Sequence, residues 1–170
     1  MVLMFDYLKE FNNIVVTGPQ RSGTRITTNM IAEDLEYKIV DEVEYKDIFK
    51  LFDDTPKVIH APMKSHECHT YPKEVAVVFM IRDTEDIITS QKRISWSHNH
   101  TELNKYIYLK KHYNNKLTNS CDIKYEVWNN YQKKNITNKF EVKYKSLTTH
   151  PLYIPKKDRT EFSWNEIEPK

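Results

Sequence analysis

The stretch NIVVTGPQRSGTRITTNMIAEDL, Asn13–Leu35, contains both glycines of a 170-residue chain, Gly18 and Gly23. They stand five residues apart, behind a β-branched run and ahead of a helical pattern. Glycine at each end of such a turn lets the backbone approach an oxyanion closely. The helix that follows adds N–H donors and the positive end of its dipole. Pro19, Gln20, Arg21, Ser22, Thr24 and Arg25 complete the loop, five of them with donor side chains. A loop built for magnesium-bound nucleotide phosphates places Lys and then Ser or Thr after the second glycine. Thr24 and Arg25 stand there instead, and the cation has moved inside the loop, to Arg21. This weakens the case for a magnesium-dependent kinase and points to an anion held by cations and backbone dipoles.

Three further stretches carry chemistry. In RDTEDIITS, Arg82 ends an apolar run and Ser90 follows eight residues later. Arg offers planar, bidentate oxyanion geometry, and Ser90 lies about two helical turns on. In KVIHAPMK, His60 ends a second apolar run, and neutral imidazole suits removal of a hydroxyl proton near pH 7. In FEVKYKSLTTHP, Tyr144 stands at the end of a third run, where it suits the core or a helix start as well as a ligand. Asp41 and Glu42, after another apolar run, are the reserve candidates for a base.

The loop resembles the 5′-phosphosulfate loop of the sulfotransferases that use 3′-phosphoadenosine-5′-phosphosulfate (PAPS). RDTEDIITS is similar to that family's Arg…Ser pair, with Thr84 where Pro is usual. His60-Ala61-Pro62 is similar to the end of its Lys-Thr-His-Leu-Pro segment, with Val58 where a second lysine often stands. Tyr144, Leu147 and Pro151 match a later segment, with Lys145 and Ser146 in place of an acidic pair. The resemblance spans Ile14 to Pro151 in order. It implies a three-layer α/β/α domain with a central parallel sheet, of the phosphate-loop sulfotransferase type. It also implies transfer of a sulfonate from PAPS to a hydroxyl or amine of a small-molecule or glycan acceptor, leaving adenosine 3′,5′-bisphosphate (PAP). Catalysis would fall to His60 as base and Arg21 as charge stabiliser. The donor would be held by Pro19, Gln20, Arg21, Ser22, Gly23, Thr24 and Arg25, by Arg82 and Ser90 at the 3′-phosphate, and by Tyr144. No metal is required. The other readings are a phosphate-loop nucleotide or nucleic-acid kinase, favoured by the glycine spacing, and a non-catalytic nucleotide-binding domain, favoured by short length and Val58.

The elements that must position these residues follow from hydrophobic periodicity. Strands are expected at Ile14–Thr17, Tyr37–Val40, Lys57–His60, Val75–Ile81 and Phe140–Tyr144. Helices are expected at Arg25–Leu35, Asp83–Ile94, Leu103–Leu117 and Tyr125–Lys134. Strands alternating with helices predict a parallel sheet, in a single domain over 1–170 whose last part, Pro151–Lys170, is a lid or a tail. With 26 basic against 24 acidic residues the chain has no charge excess that implies nucleic acid. No apolar run approaches the ~20 residues of a membrane span. Two cysteines, Cys68 and Cys121, make no disulfide framework, so a reducing, cytoplasmic setting is expected. His66, Glu67, Cys68 and His69 lack the paired spacing of a zinc site. His98 and His100 have no supporting cluster. Trp96, Tyr106, Tyr108 and Tyr113 could line an acceptor pocket, but aromatic residues at helical spacing are more often core.

Overall fold

Apolar runs bounded by polar turns become strands, and the amphipathic stretches between them become helices. The computed structural model describes residues 2–18, 21–42, 47–62, 64, 67–93 and 136–155, with only the backbone described at 84, 88 and 91–93. Five strands form one sheet: β1 (Asn13–Thr17), β2 (Lys38–Asp41), β3 (Lys57–His60), β4 (Ala76–Ile81) and β5 (Lys139–Lys143). Their order is β2-β3-β1-β4-β5, and every pairing is parallel. Helix α1 (Thr24–Leu35) follows β1, and α2 (Thr84–Arg93) follows β4. Each bound falls within one residue of the expectation. The expected helices Leu103–Leu117 and Tyr125–Lys134 lie outside the described residues, as does the expected lid or tail beyond Pro155. No helix among the described residues is long and apolar enough to cross a membrane.

The central strands β1, β3 and β4 are buried on both faces and read as apolar runs, whereas the edge strands β2 and β5 are partly exposed and carry charged residues. Ile14, Val16, Val58, Val78, Met80 and Val142 form one cluster with Ile26, Met30, Ile31 and Ala32 of α1 and with Phe5, Leu8 and Leu147. Val15, Ile59, Val77 and Phe79 face the other way. Ile48 and Leu51 of a 3₁₀ turn cover them, together with Cys68 and Tyr71. Fully burying one such aliphatic side chain is worth about 1.5–3 kcal/mol.

Two polar contacts fix the ends of this framework. Lys57 opens β3 at only 6% exposure. Its ammonium donates to Leu51 O at 2.8 Å, Thr55 O at 2.9 Å and Asn13 Oδ1 at 3.3 Å, and pairs with Asp53. Its burial is tolerated because four acceptors satisfy the ammonium, two of them, on Leu51 and Asn13, buried with it. At the other side of α1, Asp34 accepts from Phe5 N at 3.1 Å and lies 2.8 Å from His150 Nε2. The chain's first described turn, α1 and the segment after β5 are thereby tied together.

Candidate functional site

The strand order has one reversal. From β1 the chain moves outward to β2, and from β3 it passes to β4 on the other side of β1. In open parallel sheets such a reversal opens a crevice at the carboxyl ends of the two diverging strands. Here those strands are β1 and β4. The first runs into the glycine loop, and the second runs into Arg82.

The register explains what meets in this crevice. Thr17 pairs with Phe79, so β4 runs on past the end of β1 and alongside the loop. Gly18 sits at φ 148, and a Cβ there would stand 2.9 Å from Ser22 Oγ and 3.2 Å from Met80 Cβ. Arg21 adopts φ 72, a conformation that costs an L-residue about 1–2 kcal/mol. Two contacts hold it there. Arg82 Nη1 donates to Arg21 O at 2.6 Å, and Arg21 Nε donates to Ser90 Oγ at 3.0 Å. Ser90 is buried on α2. Asp83 caps that helix, its carboxylate accepting from Glu85 N at 2.9 Å. On the other flank Ile81 pairs with Lys143, which brings Tyr144 beside Arg82. The Arg82 guanidinium lies 4.0 Å from the centre of the Tyr144 ring. Arg82 Nε is buried without a hydrogen-bond partner.

The third part of the site lies across β1. His60 pairs in register with Val16 on one side and with Asp41 on the other. Three strand ends therefore stand in a row. His60, at 7% exposure, has Nδ1 3.4 Å from Asp41 Oδ2 and Nε2 3.2 Å from Thr24 Oγ1. Arg25 Nη2 donates to the same Asp41 oxygen at 2.9 Å. Burial alone would push the Asp41 carboxyl up, but the hydrogen bonds and charges of His60 and Arg25 outweigh it and bring it down to about 2. Thr24 is the first residue of α1, directly after Gly23, which sits at φ 102 and gives the helix no side-chain cap.

Beside Asp41, burial raises the Glu42 carboxyl against the opposing charge of Lys64, while the Asp41 and Glu67 charges add to the rise. Lys64 Nζ lies 3.8 Å from Glu42 and 3.5 Å from Glu67, whose Oε1 accepts from Tyr71 OH at 2.9 Å. The Lys64 backbone N–H reaches Thr17 Oγ1 at 3.1 Å, so the segment after β3 closes over the end of β1.

The structure thus brings Arg21, Ser22, Gly23, Thr24, Arg25, Arg82, Ser90, Tyr144 and His60 to one edge of the sheet. Pro19 and Gln20 lie outside the described residues, as do Trp96, Tyr106, Tyr108, Tyr113, His66, His98 and His100. Two assignments gain a different partner from the one expected. The Arg25 guanidinium is paired with Asp41. Asp41, weighed from sequence as a reserve base, is the carboxylate that meets His60. The signal for that pairing was available, since both residues end apolar runs, but it needed the β2–β3 register to be read. Among the described residues no group of three His, Cys, Asp or Glu side chains converges as a metal site. Protein-family models, curated proteins and solved structures contain no match to this chain.

Proposed function

We propose that this chain is a sulfotransferase of the phosphate-loop, three-layer α/β/α type, which moves a sulfonate from PAPS to a hydroxyl or amine. The observation that carries this reading is the joint contact of Arg82 and Ser90 with Arg21. It sets an arginine and a hydroxyl against a glycine loop that has its own cation. A donor with phosphate groups at both its 3′ and 5′ positions suits two such points. The loop of Arg21–Arg25 and the first N–H groups of α1 would take the 5′-phosphosulfate. Arg82 and Ser90 would take the 3′-phosphate, with Tyr144 supporting Arg82.

In this reading the acceptor oxygen or nitrogen attacks sulfur in line with the 5′-phosphate oxygen. His60 Nε2 takes the acceptor's proton as the new bond to sulfur forms. The bond from sulfur to the phosphate oxygen breaks, its electron pair stays on that oxygen, and PAP leaves. Charge grows on the departing oxygen, where Arg21 and the α1 amides stabilise it. Arg21 stays charged, so it stabilises without giving up a proton. Asp41, steadied by Arg25, holds the His60 ring through Nδ1.

Calorimetry of PAP, ADP and ATP, each with and without magnesium, tests the assignment. Tighter binding of PAP without magnesium is the expected result. Preference for magnesium-ATP would make the chain a kinase and overturn the proposal. Tight PAP binding without transfer to any acceptor would leave a nucleotide-binding domain in place of an enzyme.

A further inference from the structure

We propose that the Thr24 hydroxyl keeps His60 Nε2 out of use until a phosphate oxygen in the glycine loop takes over the Thr24 hydrogen bond. The inference rests on the donor reading above and adds a condition to it: the base is released by the donor.

The argument starts from what each atom can give. The Asp41 carboxylate only accepts, so the proton of a neutral His60 ring sits on Nδ1, which faces it at 3.4 Å. Nε2 then carries a lone pair. The group 3.2 Å from it is Thr24 Oγ1, so the hydroxyl is the donor of that bond. Thr24 has one hydroxyl proton, and it stands at the head of α1, where the backbone donors would face an anion in the loop. A phosphate oxygen is a charged acceptor, and bonds to it are roughly twice as strong as neutral ones. Rotation about one side-chain torsion would carry the proton from Nε2 to that oxygen. Oγ1 would then present only lone pairs to the lone pair of Nε2, and the contact would turn repulsive. The hold of Thr24 on Nε2 would then be gone when the acceptor's O–H or N–H arrives. No covalent bond changes in this step. Its consequence is an order of events: an acceptor that arrives without the donor meets a base whose lone pair is occupied. Thr24 thus governs the acceptor proton through His60, as a positioning residue.

Nitrogen-15 resonances of the histidine rings report the bond directly. Wild type, Thr24→Val and Thr24→Ser would be compared in nucleotide-free form and with PAP, and PAP binding followed by calorimetry on the same samples. His60→Gln identifies the His60 signals among the seven histidines. In the nucleotide-free wild type, Nε2 should show the displacement of a ring nitrogen that accepts a hydrogen bond, and PAP should abolish it. Thr24→Val keeps the branched shape, should lack the displacement from the outset and should not respond to PAP. Thr24→Ser restores the hydroxyl and should behave as wild type. An Nε2 signal that is the same in Thr24→Val and wild type overturns the inference, as does PAP binding to wild type without change at Nε2. PAP that binds to no variant sinks the donor reading and the release step with it. The Thr24–His60 bond would still stand or fall on the nucleotide-free comparison.

Discussion

Gly23→Ala tests how the loop is braced, and its cost can be worked out from the geometry. Gly23 holds φ 102 and ψ 17. A side chain in such a left-handed conformation costs about 1–2 kcal/mol. The added Cβ would also stand 2.8 Å from Tyr144 Cδ2 and 3.2 Å from Cε2, so the ring must move. That ring lies over Arg82 at 4.0 Å, and a cation–π contact at a partly exposed site is worth about 0.5–1 kcal/mol. Gly23→Ala should therefore destabilise by roughly 1.5–3 kcal/mol. In a Tyr144→Ala background the obstacle is gone, and only the backbone part should remain. The two substitutions should then couple by about 0.5–1 kcal/mol, read from urea unfolding of the wild type, both single variants and the double variant. Effects that add to within about 0.3 kcal/mol would refute the Gly23–Tyr144 contact. A cost for Gly23→Ala below about 1 kcal/mol would refute the left-handed conformation itself.

Acid should expose the Asp41 pairing. Its carboxyl falls from 3.8 to about 2 on folding, so the stabilisation is complete above the unfolded value and is lost as pH drops through the folded one. Urea midpoints between pH 5 and pH 2 should fall by an amount equivalent to about 2 kcal/mol more in wild type than in Asp41→Asn. Lys57→Met should cost about 2–4 kcal/mol in the same assay, because it strands the buried oxygens of Leu51 and Asn13; a loss under about 1 kcal/mol would mean that water replaces the ammonium. Arg82→Ala should weaken PAP binding about 10- to 100-fold by calorimetry while leaving ADP within about threefold, and equal losses would remove the 3′-phosphate assignment. His60→Gln should cut turnover about 10²- to 10⁴-fold with PAP affinity nearly intact, and undiminished turnover would dismiss His60 as the base.

Reading the sequence succeeded where one segment answers to one constraint. The central strands carry apolar runs, and the loop's glycines mark two of the three described loop positions with positive φ. It fell short where distant segments must be laid side by side. Lys57 has Asp53 and Thr55 close by in sequence, but its buried acceptor on β1, Asn13, lies 44 residues away, and nothing local announces it. Nothing local to Asp34 announces His150, which lies 116 residues away. The left-handed Arg21 is hidden for a different reason. Unlike Glu36, whose left-handed turn closes α1 locally, Arg21 is held by tertiary contacts from Arg82 and Ser90 on the β4–α2 unit. Asp41 was visible as an acidic residue after a strand, but its task depended on the order β2-β3, which places it beside His60 rather than out at a solvated turn.

That placement bears on which group can act as a base. A carboxylate brought down to about 2 is ionised at neutral pH, yet it has little hold on a proton taken from an acceptor. The Arg25 and His60 contacts that lower it are the ones that make it a good anchor. Glu42 has the opposite balance: burial raises it, and Lys64 works against that rise. Its nearest cation is also the one that would compete with any proton it gained. Imidazole escapes both difficulties. It can take a proton at Nε2 while Asp41 stabilises the charge that forms at Nδ1, and the Arg25 pair keeps Asp41 from being drawn away. Under the proposed reaction the three strand ends therefore divide the work. β2 supplies the charge that steadies, β3 the ring that accepts, and β1, through its loop and Thr24, the signal that the donor is in place.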